Sequence, residues 1–120
     1  MAMTVVIVDD HPTFRSFARE LLEEEGFEVV AEAGDGASAI EAADRLRPDL
    51  LLLDVQLPDL SGFEVVKRLR DRRIPSPVVL TSSRDAASYG DQVEASDSAG
   101  FIPKGDLSGG ALRALLEERH

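Results

Sequence analysis

Polar side chains that can perform chemistry follow several short apolar runs of this sequence. Asp9 and Asp10 follow the first run, Asp54 the third and Thr81 the fourth, and Lys104 comes shortly after the fifth. If these runs are parallel strands of one sheet, their carboxyl ends meet at one edge, where such folds place their sites. The pattern therefore predicts three carboxylates, a hydroxyl and an ammonium group in one place.

Carboxylates brought this close repel one another strongly in a partly dry site. The repulsion is relieved either by protonation, with a raised pKa, or by a divalent cation. Oxygen ligands without cysteine or histidine favour Mg²⁺ over zinc. Such a set also suits phosphoryl transfer. A carboxylate can attack as nucleophile and form an acyl phosphate, while Mg²⁺, lysine and a hydroxyl stabilise charge on the transferred oxygens.

The elements that must position these groups alternate along the chain. Five apolar runs predict strands: Val5–Val8, Phe27–Val30, Leu50–Leu53, Val78–Leu80 and Phe101–Ile102. Three are nearly continuous, as in strands covered on both faces of a parallel sheet, and the second is more mixed and suits a place nearer the edge. Strict alternation of strands and helices predicts an α/β fold with right-handed crossovers.

Helical periodicity fills the gaps between the runs. The first helix carries its apolar face from Phe14 to Leu22, with Pro12 in its first turn and Gly26 at its end. The second is predicted over 37–46, the third from the capping residue Ser61, and the last from Ser108. The stretch 82–100 predicts a helix only weakly, since its serines, aspartates and central glycine lower helix propensity.

Composition narrows the class of protein. The chain has 120 residues, a formal charge of −10 and no cysteine, so one domain over 1–120 is expected, without disulfides or a thiol nucleophile. The acidic balance argues against nucleic-acid binding and against an anionic membrane surface. No apolar run is long enough to span a bilayer and the start resembles no signal peptide. A cytoplasmic protein is the expectation.

Four stretches together resemble the receiver domain of two-component response regulators. They are Asp9-Asp10 after an apolar run, Leu51 to Gly62 around Asp54, Leu80-Thr81-Ser82, and Gly100 to Lys104. The resemblance covers essentially the whole chain. It implies a (βα)5 flavodoxin-like doubly wound fold with strand order 2-1-3-4-5. The stretches Val8–Pro12 and Val30–Gly36 are similar to the subgroup often fused to a helix-turn-helix DNA-binding domain.

The resemblance also implies a role for individual residues. Asp54 would be the phosphoacceptor, in a reaction that needs Mg²⁺. Asp9, Asp10 and Asp54, with the backbone carbonyl of Gln56, would be the metal ligands.

Further roles concern the response to phosphorylation. Thr81 and Lys104 would each contact a phosphoryl oxygen. Thr81 and Phe101 would form the switch, with the ring turning inward as Thr81 moves. Pro103 is similar to a proline that is often cis in this family.

The implied partner is a sensor histidine kinase or a phosphotransfer protein. Phosphorylation would change the face made by the fourth helix, the fifth strand and the fifth helix, and could drive homodimer formation. Receivers are signalling domains that catalyse only their own phosphorylation and slow dephosphorylation. The domain itself would bind neither nucleic acid nor membrane.

The main alternative is a pseudo-receiver, an interaction module that is not phosphorylated, although the complete polar set argues against it. A phosphatase with an aspartyl nucleophile would need an acid where Gln56 stands.

Overall fold

Five parallel strands form one sheet in the order β2-β1-β3-β4-β5, as expected. The computed structural model describes residues 2–117. Its strands are β1 (Thr4–Val8), β2 (Glu28–Ala33), β3 (Leu50–Asp54), β4 (Val78–Ser82) and β5 (Gly100–Pro103). Its helices are α1 (Pro12–Glu24), α2 (Gly36–Leu46), α3 (Gly62–Asp71), α4 (Gln92–Ala95) and α5 (Gly109–Glu117), with 3₁₀ turns at Ala86–Tyr89 and Lys104–Asp106. The α/β architecture predicted from the alternation is confirmed.

The sheet has an apolar core on each face. Every residue of β3 and β4 is buried, which explains why their sequences read as continuous apolar runs. Alternate residues of a strand point to opposite faces, so Leu51 and Leu53 join one core while Leu50 and Leu52 join the other. The mixed strand β2 lies at an edge of the sheet, where the sequence placed it.

Local signals fix the ends of most helices. Pro12 begins α1, and Gly26 follows its end with a φ of 94°, a conformation that glycine adopts readily. The Ser61 hydroxyl accepts the backbone N–H of Glu64 at 3.1 Å and so caps α3. Ser108 does the same for α5 through the N–H of Ala111.

The predicted fourth helix is replaced by two short pieces. A 3₁₀ turn at Ala86–Tyr89 and the single turn of α4 occupy the stretch that the pattern predicted as one helix. Gly90 separates them with a φ of 58°, and the Asp85 side chain caps the 3₁₀ turn through the N–H of Ser88. Side chains that bond the backbone locally compete with continuous helix, which explains the break.

Two further expectations need correction. β2 runs to Ala33, beyond the predicted limit at Val30, because pairing with β1 continues to the contact of Val8 with Ala33. The Ile102–Pro103 bond is trans, as is every peptide bond among residues 2–117. Pro103 pairs with Ser82 as the last residue of β5, and a trans bond keeps the strand extended up to that point.

Across residues 2–117, every helix falls short of the length and apolar character needed to cross a membrane.

Candidate functional site

Asp9, Asp54 and Thr81 meet at the carboxyl edge of the sheet. Asp54 ends β3 and pairs directly with Thr81 of the neighbouring strand β4. Asp9 follows β1, which flanks β3 on the other side. The three residues are buried, with exposed fractions of 0%, 3% and 0%. Polar side chains this deeply buried need charged or hydrogen-bonding partners.

Lys104 supplies the main partner for both buried carboxylates. Its Nζ lies 2.6 Å from Oδ2 of Asp9 and 3.2 Å from Oδ2 of Asp54. The lysine begins the 3₁₀ turn directly after β5, which brings it to the same edge of the sheet. Its ammonium group also lies 4.5 Å from the centre of the Phe14 ring, a cation–π contact from α1. The lysine therefore bridges the two acids.

These contacts shift the pKa values of the three groups in different directions. Burial raises the pKa of Asp54, and the charge of Asp9 adds to the rise, although the N–H of Gln56 and Lys104 oppose it. Burial also disfavours the charged form of Asp9, but contacts with Lys104 and His11 outweigh it and lower its pKa. Burial acts against the charge of Lys104 too, yet the two carboxylates raise its pKa. Lys104 therefore pairs with both acids, more closely with Asp9, and Asp54 is the less acidic carboxyl group.

Asp10 and His11 complete a cluster of metal-binding groups with the two buried acids. The ligand atoms of Asp9, Asp10, His11 and Asp54 all lie within 4.8 Å of one another. The His11 ring Nδ1 lies 3.0 Å from both Asp9 Oδ1 and Asp10 Oδ1. Asp10 is more exposed than the other two acids, so the cluster reaches from the buried edge of the sheet to solvent.

The donor set of this cluster fits Mg²⁺. Three carboxylates converge there against one ammonium group, which leaves an excess of negative charge. Carboxylate oxygens are the protein ligands that Mg²⁺ prefers, together with water and phosphate oxygens. The carboxylate oxygens, and not the imidazole of His11, are the groups suited to Mg²⁺, because nitrogen ligands suit transition metals.

The loop after β3 packs tightly against the site. The N–H of Gln56 donates to Asp54 Oδ1 at 3.1 Å, so the Gln56 peptide lies beside the carboxylate, while its side chain is exposed. The N–H of Gly62 donates to the carbonyl of Val55 at 2.7 Å. A Cβ at Gly62 would lie 2.7 Å from the backbone oxygen of Asp54, so only glycine permits this close approach of α3.

The Thr81 hydroxyl is buried, and none of the residues described for this chain supplies it with a hydrogen-bond partner. Phe101 lies half-buried on the adjacent strand β5, and its ring centre is 5.9 Å from that of Tyr89. An unsatisfied buried hydroxyl is costly, so a new acceptor beside Asp54 would attract it.

Sequence reasoning missed the role of Arg15 near this site. Arg15 of α1 donates from Nη1 to the backbone carbonyl of Asp9 at 2.5 Å. His11 stands beside the acidic pair in the sequence, which favours a helix start or a solvent-exposed side chain, with metal binding as the alternative; its ring contacts Asp9 and Asp10. A basic residue one turn into α1 was a weak signal for the role of Arg15. Its contact with Asp9 depends on how α1 packs against β1.

Comparisons with known proteins agree with this architecture. Residues 5–116 match the family model of the response regulator receiver domain. The chain is 47% identical over 85 residues to the nitrate/nitrite response regulator protein NarP of Escherichia coli, covering 70% of this chain and 40% of NarP. It is 29% identical over 113 residues to the DNA-binding transcriptional activator EvgA of the same species, covering 94% of this chain and 55% of EvgA. The chain thus spans about half the length of these curated relatives.

Solved structures give the same result. The signal receiver domain of the response regulator NarL from Mycobacterium tuberculosis superposes with a TM-score of 0.85 at 34% identity, covering 97% of this chain and 94% of that one. The chemotaxis response regulator CheY4 of Vibrio cholerae superposes with a TM-score of 0.80 at 26% identity, covering 98% of both chains. This chain belongs to the response regulator receiver domain family of two-component signalling systems.

Proposed function

We propose that Asp54 accepts a phosphoryl group in a Mg²⁺-dependent reaction. The observation that carries the proposal is the convergence of Asp54, Asp9 and Lys104 at one edge of the sheet, with Lys104 Nζ within 3.2 Å of both acids. A carboxylate held beside a lysine and further acids is suited to act as nucleophile toward phosphorus. Family membership supports the same role.

In this reaction a carboxylate oxygen of Asp54 forms a bond to phosphorus while the bond from phosphorus to the donor breaks. The electron pair of the broken bond leaves with the donor, a phosphohistidine nitrogen or the acyl oxygen of a small phosphodonor. Asp9, Asp10, Asp54 and the backbone carbonyl of Gln56 would hold Mg²⁺, which neutralises charge on the transferred oxygens.

Two side chains of this domain stabilise the product. Lys104 bonds one phosphoryl oxygen, since its ammonium group already lies at the carboxylate that is modified. Thr81 donates its hydroxyl to another, which supplies the partner that this buried group lacks among residues 2–117. As Thr81 moves, Phe101 turns inward, and the change reaches the face of α4, β5 and α5.

The proposed donor is a sensor histidine kinase or a phosphotransfer protein. The switched face controls a partner or an output, and homodimer formation on phosphorylation is part of the proposal. The whole sequence 1–120 would act as a single receiver domain, which the family match over 5–116 supports.

Intact mass spectrometry after incubation with acetyl phosphate and Mg²⁺ tests the assignment. The wild type is expected to gain the mass of one phosphoryl group, and Asp54→Ala is expected to gain none. Asp71→Asn is the matched control, because Asp71 lies on α3 and pairs with Lys67, away from the site. Equal labelling of Asp54→Ala would remove Asp54 from the role. An unlabelled wild type would instead favour the pseudo-receiver.

A further inference from the structure

A hydrogen bond connects the end of β4 to the 3₁₀ turn that follows. Ser82, the residue after Thr81, is fully buried, and its Oγ lies 2.6 Å from the hydroxyl of Tyr89. Ser82 Oγ also accepts the backbone N–H of Arg84 at 3.1 Å. The serine hydroxyl is therefore held from two directions, and the position of Tyr89 depends on that of Ser82.

The ring of Tyr89 lies between two other aromatic rings. Its centre is 5.7 Å from that of Phe63 on α3, in an edge-to-face contact, and 5.9 Å from that of Phe101 on β5. Contacts of this kind stabilise packing beyond the apolar area they bury. Tyr89 thus contacts the predicted switch residue through its ring and the strand of Thr81 through its hydroxyl.

Few other contacts anchor this part of the chain. α4 is a single turn that buries none of its residues, and most residues of the segment 83–95 are exposed. Segments with little buried apolar surface open at low free-energy cost. Tyr89, half-buried and bonded to Ser82, is therefore a main attachment of the segment to the sheet.

Movement of Thr81 toward Asp54 must disturb this attachment. Thr81 and Ser82 share a peptide bond, and Thr81 pairs with Asp54 across the strands. A hydroxyl pair at 2.6 Å lies near the short end of the usual range, so a shift of Ser82 either lengthens the bond or moves Tyr89 with it. Either change alters the space beside Phe101.

We propose that Ser82 and Tyr89 are positioning residues for the phosphoryl site. The hydrogen bond between their hydroxyl groups stabilises the unphosphorylated arrangement and breaks when Thr81 turns toward the modified Asp54. This inference rests on the proposed function of Asp54. A bond present in only one of two states shifts the population toward that state. By linkage, its removal favours the other state and tightens the binding of any ligand that selects it.

Beryllofluoride with Mg²⁺, a mimic of the phosphoryl group, provides the test. Its affinity is measured by calorimetry for the wild type, Tyr89→Phe, Ser82→Ala and the double variant. Each single variant is expected to bind the mimic about two- to tenfold more tightly, the effect of one neutral hydrogen bond. The double variant is expected to gain no more than Ser82→Ala, because Tyr89→Phe removes only the bond to Ser82, whereas Ser82→Ala removes that bond and also the acceptor of the Arg84 N–H. Ser88→Ala is the control, since Ser88 lies in the same turn but its hydroxyl bonds Asp85.

Tyrosine fluorescence gives an independent readout, because Tyr89 is the only tyrosine and the chain has no tryptophan. The mimic is expected to change the Tyr89 emission of the wild type. The emission of Ser82→Ala without the mimic is expected to lie closer to that of the activated wild type. A purely structural role would lower the free energy of unfolding in urea and leave the affinity for the mimic unchanged.

The outcomes separate the two proposals. If the wild type binds the mimic but both single variants bind it equally well or more weakly, the positioning role is overturned while the function of Asp54 stands. If the wild type does not bind the mimic with Mg²⁺, the proposed function fails and this inference fails with it.

Discussion

Arg15 holds the backbone of Asp9 from outside the acidic cluster. Its Nη1 donates to the Asp9 carbonyl at 2.5 Å, and its Nε donates to Glu32 on β2 at 3.1 Å. The backbone N–H of Asp9 meanwhile donates to Ala33 of β2 at 3.0 Å. The peptide groups on both sides of Asp9 are therefore fixed, which orients its carboxylate toward Lys104. Groups that orient metal ligands in this way affect metal affinity without touching the ion.

Arg15→Ala is expected to weaken Mg²⁺ binding about tenfold, the lower end of the effect of losing an orienting group. The physical reason is that the Asp9 carbonyl loses its donor and the carboxylate gains freedom. Isothermal titration calorimetry measures the change. Arg19→Ala is the matched control, because Arg19 also pairs with Glu32, at 2.6 Å, and reaches Val29 rather than Asp9. An equal loss in both variants would trace the effect to Glu32.

Asp59 connects two elements near the site, the loop after β3 and the start of α2. Its Oδ1 accepts the N–H of Gly36 at 2.7 Å and that of Leu60 at 2.9 Å, and its Oδ2 accepts the N–H of Ala37 at 3.0 Å. A carboxylate at the first turn of a helix also interacts favourably with the helix dipole. These backbone donors, that of Gly36 foremost, lower the pKa of Asp59.

The lowered pKa gives a stability effect with a definite sign. Because the folded state favours the ionised form, Asp59 stabilises the fold at a pH above the ordinary carboxyl pKa of 3.8. That contribution disappears as the pH falls through the lower folded value. Asp59→Asn is therefore expected to lower the free energy of unfolding at neutral pH and to approach the wild type in acid.

Urea unfolding at a series of pH values measures this difference. Asp71→Asn serves as the control, since Asp71 is an exposed acid with a single lysine partner. A gap between Asp59→Asn and the wild type that stays constant from neutral to acid pH would contradict the role of the charge.

The whole molecule carries ten negative charges in excess, and part of that excess lies at one edge of its sheet. Repulsion between acids lowers the stability of the folded state, and a bound cation that selects the folded state restores it. The stability of the domain should therefore depend on Mg²⁺ as well as on the apolar cores.

Thermal unfolding with and without Mg²⁺ tests this coupling. At one hundred times its Kd, Mg²⁺ is expected to stabilise the wild type by about 2.7 kcal/mol. Asp10→Asn should gain less from the ion, because it loses one ligand. Without the ion, Asp10→Asn should be at least as stable as the wild type. Its gain in the free energy of unfolding should stay below about 1 kcal/mol, since Asp10 is partly exposed and its charge is screened by solvent. If millimolar Mg²⁺ leaves the melting temperature of the wild type unchanged, the acidic cluster is not a Mg²⁺ site.

The sequence by itself determined the class of fold and the edge at which the polar groups meet. Apolar runs such as Leu50–Leu53 indicate strands that are buried on both faces of a sheet. Because parallel strands run in the same direction, the residues that follow them lie at the same edge of the sheet. The starts of three helices were also predictable from the sequence. Pro12 fits the first turn of a helix, and the Ser61 and Ser108 hydroxyls accept backbone N–H groups three residues further along the chain. These signals are local and therefore visible in a linear pattern.

Only the tertiary structure decided the contacts between residues far apart in the chain. The bond of Lys104 to Asp54 spans fifty residues, and Arg15 meets the Asp9 carbonyl because α1 packs over the end of β1. The structure of the stretch 82–100 also depends on such contacts. Its helix propensity is weak, so capping by Asp85 and the hydrogen bond of Tyr89 to Ser82 favour two short helical pieces over one continuous helix. Packing brings such groups together, and a sequence pattern carries no distance between them.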